Sequence, residues 1–64
     1  MPKLPRLSAE EAEGMLLRAG FRLERSKGSH RIYMKDKRRI VLPFHAGKIL
    51  HPKIVNQLLK TIKD

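Results

Sequence analysis

The sequence predicts an α+β fold ordered α-β-β-β-α, with two helices on one face of a three-stranded antiparallel sheet. Three observations predict it. Apolar residues recur at helical spacing near both ends of the chain, at Ala12, Met15, Leu16 and Ala19, and again at Ile54, Val55, Leu58, Leu59 and Ile62. Between them, apolar and polar residues alternate in three short runs separated by turn residues. Each helix has one apolar stripe, so both are expected to cover the same side of the sheet.

The first helix is predicted from Ala9 to Ala19. Ser8 is a good N-cap, and Glu11 three residues later completes the capping-box pattern. Glu10, Glu11 and Glu13 complement the helix dipole, and Gly20 sits where a left-handed residue ends a helix. Gly14 weakens the helix interior; close packing against a neighbour would account for it. The first strand is predicted over Phe21 to Arg25, then a Lys27-Gly28-Ser29 turn and a second strand from His30 to Lys35. Asp36-Lys37-Arg38 makes the next connection. Arg39 to Phe44 is the third strand, with Ile40, Leu42 and Phe44 inward, and Pro43 marks an edge or a terminus. Pro52 suits the first position of the last helix, with His51 in the N-cap slot and Leu50 and Val55 at the spacing of a hydrophobic staple. In the second strand Ile32 and Met34 are read as inward. Arg22, Arg31, Tyr33, Lys35 and Arg39 are then left on the opposite face. His30 shares its parity with Ile32 and Met34, so it is expected at the rim of the sheet, where the hairpin tip clears the helices.

Sixty-four residues bound the chain to a single domain over 1–64. A core of this size rarely supplies more than roughly 3–5 kcal/mol, and with no cysteine neither a disulfide nor a thiolate metal site can add to it. No secretory signal pattern and no apolar run of membrane-spanning length is present, so the expected location is the cytoplasm. Fifteen Lys and Arg against six Asp and Glu give a net charge of +9, which marks an anionic partner. Residues 1–24 are neutral, whereas 25–63 hold eleven cations against Asp36 alone. That half is also rich in Ile, Val, Leu and Phe, which a disordered polycation would lack, so the charge belongs to a folded surface.

His30 is the candidate catalytic residue. It follows the Gly28-Ser29 turn and lies close in sequence to Lys27 and Arg31. Histidine is the side chain whose unperturbed pKa allows proton exchange near neutral pH. RNA carries its own nucleophile, the 2′-hydroxyl, so a base and a few cations suffice for cleavage without a metal. Lys27, Arg31, Lys35, Lys37, Arg38, Arg39 and Lys48 are the candidate RNA contacts. Three aromatic residues are too few for a base-stacking platform, so binding is expected to be shape-guided and weakly sequence-specific. His45 and His51 receive no role. Three scattered histidines with Asp36 lack metal-ligand spacing, and neither a metal nor a cofactor is expected. Two other readings compete: a non-catalytic basic RNA-binding module, and an adaptor for an acidic protein.

Four blocks in order carry a family resemblance: Leu-Pro-Arg-Leu-Ser from Leu4 to Ser8, Leu17-Arg18-Ala19-Gly20-Phe21, Lys27-Gly28-Ser29-His30-Arg31-Ile32-Tyr33, and Val41-Leu42-Pro43-Phe44-His45. Together they resemble the HicA family of type II toxin–antitoxin toxins, small mRNA interferases with a double-stranded-RNA-binding-domain-like fold. The resemblance covers Leu4 to Ile62. It implies that His30 is the catalytic residue of an endoribonuclease that cleaves mRNA and blocks translation. It also implies a HicB-type antitoxin partner that masks the active site. One departure is clear: where the family pattern has a lysine-rich stretch and a glycine before the last helix, this chain has Ala46-Gly47-Lys48-Ile49-Leu50-His51-Pro52.

Overall fold

A computed structural model describes residues 6–45 and 47–63; Leu4 and Pro5 of the first block, Ala46 of the later loop and Asp64 lie outside them. Helix α1 (Ala9–Arg18) starts as its cap dictates: Ser8 Oγ accepts from the Glu11 N–H at 3.2 Å, and Glu11 Oε1 accepts from the Ser8 N–H at 2.9 Å. Two of the four orphan donors of the first turn region are thereby satisfied. The helix ends in a Schellman arrangement, in which the Phe21 N–H donates to the Leu16 carbonyl and the Gly20 N–H to that of Leu17. Gly20 sits at φ +97°, a conformation that favours glycine. Phe21 and Leu16, the residues this motif brings together, are both buried in the core.

Gly14 has no packing reason. A Cβ added there would meet only the Arg18 guanidinium, at 3.6 Å, an ordinary contact. Gly14→Ala is therefore expected to stabilise the protein by about 1 kcal/mol, raising the thermal midpoint by roughly 4–8 °C for a domain this small. An unchanged or lower midpoint in a calorimetric scan would refute that expectation.

Strands β1 (Arg22–Lys27), β2 (His30–Lys35) and β3 (Arg38–Pro43) form an antiparallel sheet in the order β1-β2-β3. Lys27 pairs with His30 and Lys35 with Arg38, so Gly28-Ser29 and Asp36-Lys37 are two-residue hairpin turns. Gly28 is at φ +60° and Asp36 at +54°, the latter a conformation that aspartate tolerates better than most side chains. β1 begins one residue later than expected and runs two further, while β3 is displaced by one toward its start. Pro43 is the last residue of an edge strand, where its missing N–H breaks no ladder.

Strand β3 has the expected face inward, with Ile40 and Leu42 buried and Arg39 exposed, but β2 has the opposite face inward from the one expected. Tyr33 is fully buried in the core, and its register partner is the buried Ile40; Arg31 lies opposite the buried Leu42. Residues directly opposite each other share a face, so Arg31, Tyr33 and Lys35 lie under the helices and His30, Ile32 and Met34 on the open side. The reason is that each polar end finds a partner there. The Tyr33 hydroxyl donates to Glu13 of α1, Arg31 Nη1 contacts the same Oε2 at 2.9 Å, and Lys35 Nζ donates to the Ala19 carbonyl at 2.6 Å. The apolar stems thus stay buried while their heads are satisfied. Phe44 is half-buried against the core, with the Arg31 guanidinium 3.8 Å from its ring centroid.

The Leu50 N–H donates to the Leu7 carbonyl at 2.8 Å, and Ser8 and Ile49 form an isolated bridge, tying the segments ahead of the two helices together. His51 caps helix α2 (Pro52–Lys63), with Nδ1 accepting from the Lys53 N–H at 3.1 Å. Leu50 and Val55, flanking the cap, are both buried, as a hydrophobic staple requires. The core joins Ala9, Ala12, Leu16, Phe21, Tyr33, Ile40, Leu42, Leu50, Val55 and Leu58. No helix among the described residues is long and apolar enough to cross a membrane.

Candidate nucleic-acid interface and catalytic histidine

Three rungs build the open face of the sheet. Arg22, Met34 and Arg39 form the first; Arg25, Ile32 and Val41 the second; Lys27, His30 and Pro43 the third. Arg25 reaches this face because the β1 register shifts between Leu23 and Arg25. That bulge leaves Glu24 as the extra residue and restores Arg25 to the side of Arg22. The result is a cation at every rung of β1, with Arg39 closing one corner from β3. Glu24, Arg25, Ile32, Met34 and Arg39 line a shallow depression of about 250 Å³ at the middle of this surface.

His30 is exposed, on the central strand, at the end where the chain enters from the Gly28-Ser29 turn. The turn is pinned from the other side: the Phe44 N–H donates to the Ser29 carbonyl. Lys27 faces His30 directly across the β1–β2 ladder, and Pro43 does so across β2–β3. The imidazole is therefore held on two-sided sheet backbone while its ring meets solvent beside an ammonium group.

Of the other residues singled out from sequence, Arg39 lies on the same face, at the far end from His30. Lys37 is exposed in the opposite hairpin turn, and Arg38 pairs with Lys35 on the helix side. Lys48 is exposed in the loop before α2, in a second depression beside Pro43. Arg31 and Lys35 are engaged beneath the helices, as described above. The hydrogen bond to Glu13 raises the Arg31 pKa further above its ordinary value, so its charge is fixed. Burial, helped by the bond to Glu13, pushes the Tyr33 phenol well above the usual tyrosine range, so it stays a donor.

Arg22 and Arg25 belong to the cationic face and were not among the RNA contacts expected from sequence. Arg22 was legible as outward; the bulge that adds Arg25 has no sequence signal. Among the described residues no three His, Asp or Glu side chains gather where they could share a metal ion. The face can hold an anionic polymer along a line of cations, with one proton-exchanging group at its end.

A family model described as the HicA toxin of bacterial toxin–antitoxin systems matches residues 9–63. No curated protein and no solved structure matches the chain at a significant level. The family match spans both helices and all three strands, so this chain belongs to the HicA toxin family and is the toxin of a toxin–antitoxin system, with an antitoxin as its partner.

Proposed function

We propose that the protein is an mRNA interferase, an endoribonuclease in which residues 1–64 act as one toxin domain and His30 is the catalytic residue. The observation that carries the proposal is the position of His30: exposed, on the cationic face, and beside Lys27. RNA lies along Arg22, Arg25, Lys27 and Arg39, which contact phosphates rather than bases and so give weak sequence preference. Lys48 and Lys37 extend the phosphate contacts beyond the two ends of the sheet. His30 accepts the proton of a 2′-hydroxyl as that oxygen attacks the adjacent phosphorus. The bond from phosphorus to the 5′-oxygen breaks, and the departing oxygen takes up a proton. Lys27 stabilises the extra negative charge on the phosphoryl oxygens. The reaction needs no cofactor, because the substrate brings the nucleophile and the face brings the charge.

Cleavage of messages in the cytoplasm blocks translation, and a HicB-type antitoxin ends it by covering the same face. The apolar centre of that face, the half-buried Met34 and Val41 over the buried Ile32, is surrounded by Arg22, Arg25, Lys27 and Arg39 and suits an acidic protein with an apolar contact at its middle.

Incubating the purified protein with single-stranded RNA and with DNA of the same sequence, in the presence of a chelator, tests the reading. RNA fragments ending in a 2′,3′-cyclic phosphate are expected, with the DNA intact. Intact RNA, or equal cleavage of both polymers, would overturn it.

A further inference from the structure

A second depression, about 170 Å³, lies beside the His30 rung and is lined by Pro43, His45, Lys48, Ile49, Leu50 and His51. Its composition differs from that of the open face. Its walls are mainly apolar, with Ile49 more than half exposed, and three nitrogen-bearing side chains stand around them. No acidic residue lines it. Of the three, His51 has a defined hydrogen-bonding state: Nδ1 accepts from the Lys53 N–H, so the neutral ring carries its proton on Nε2, a donor. The side chains of His45 and Lys48 have no hydrogen-bond partner among the described residues.

We infer that this groove is an RNA subsite, in which the nucleotide next to the cleaved phosphodiester packs its base on Ile49 and Pro43 and its phosphate meets Lys48, His45 and His51. This inference rests on the ribonuclease reading of His30 and deepens it. Three observations support it. Pro43, one wall of the groove, is the direct register partner of His30, roughly 4.5–5.5 Å away between Cα atoms in such a ladder. A strand whose phosphate sits at His30 therefore reaches the groove with its next nucleotide. The groove combines an apolar floor with the Lys48 ammonium, the Nε2–H of His51 and the imidazole of His45, and with no carboxylate, which suits a base carrying an anionic group. Finally, the groove's walls are tied to the segment ahead of α1. The Leu50 N–H is bonded to Leu7, Ile49 bridges Ser8, and the buried Leu50 closes the bottom.

The subsite would give this toxin a preference at one position that the cationic face cannot supply. Phosphate contacts carry no sequence information, whereas a base seated in a pocket is selected by size and edge.

The test measures affinity for a 2′-O-methyl RNA hexanucleotide, which His30 cannot cleave, by fluorescence anisotropy. The proteins compared are wild type, His30→Ala, Ile49→Ser and the double variant His45→Ala/Lys48→Ala. Ile49, His45 and Lys48 are exposed, and thermal midpoints confirm that each variant folds. Ile49→Ser and the double variant are each expected to weaken binding by roughly tenfold, the loss of one packed base or of one phosphate cluster. His30→Ala should keep its affinity. Unchanged affinity in both groove variants would overturn the subsite and leave the catalytic reading standing. Groove variants that bind RNA normally but lose the cognate antitoxin would also overturn it, identifying a protein-docking surface. A wild type that binds no RNA would fail the ribonuclease reading and the subsite with it.

Discussion

Tyr33→Ala is expected to leave the protein unfolded at 25 °C. Tyr33 is the largest fully buried side chain, on the central strand and in the core cluster that also holds residues of both helices. Truncating an aromatic residue at such a site costs about 3–5 kcal/mol, which equals all that a core of this size supplies. Loss of the far-UV circular dichroism spectrum checks it, and a cooperative thermal transition in the variant would refute it. Tyr33→Phe separates the ring from its hydroxyl. It leaves Glu13 paired with Arg31, and both of those side chains are partly exposed, so the loss should be only about 1 kcal/mol. The same residue sets an alkaline limit. Because burial raises the Tyr33 pKa in the folded state, its contribution is complete below about pH 10, where an unfolded tyrosine ionises. As pH rises beyond that, the unfolded state releases the proton that the folded state keeps, and stability falls.

His30→Ala is expected to abolish toxicity without weakening the fold. The side chain is exposed and makes no contact in the core, so its removal should move stability by no more than about 0.5 kcal/mol. Loss of a positioned acid–base group costs about 10²–10⁴ in rate, enough to bring cleavage below what arrests growth. Cells expressing the variant should grow at the rate of uninduced cells, and new transcript ends should appear only with the wild type. Growth arrest by a well-expressed His30→Ala protein would place the toxic activity elsewhere on the molecule.

The elements whose chemistry is local were legible in the sequence. Ser8 with Glu11, Gly20 after the helix, and Leu50, His51, Pro52 and Val55 around the second helix start all act within six residues of each other, and each is realised as read. The face of β2 was not legible. Arg31-Ile32-Tyr33-Met34-Lys35 offers two parities of nearly equal claim, one with two aliphatic side chains and one with a tyrosine and two long cationic stems. What decides between them is Glu13, twenty residues earlier in the chain, which accepts from the Tyr33 hydroxyl and from Arg31 at once. Hydropathy records the burial of a side chain and not the availability of a partner for its polar end. The reversal frees His30 from the core side: with Ile32 and Met34 on the open face, its parity and its exposure agree. It also places Arg31 and Lys35 in structural contacts, so the cationic face is carried by Arg22, Lys27, Arg39 and, through the β1 bulge, Arg25. The bulge in β1 has no sequence signal for a similar reason, since it is fixed by register against β2 and by no residue within β1.

The central claim is that His30 cleaves RNA on a cationic sheet face. Its most direct measurement is the single-turnover cleavage rate of one labelled RNA by purified wild type and His30→Ala, with RNA affinity determined in the same samples. A rate lower by about 10²–10⁴ at unchanged affinity is predicted. Equal rates for the two proteins would contradict it.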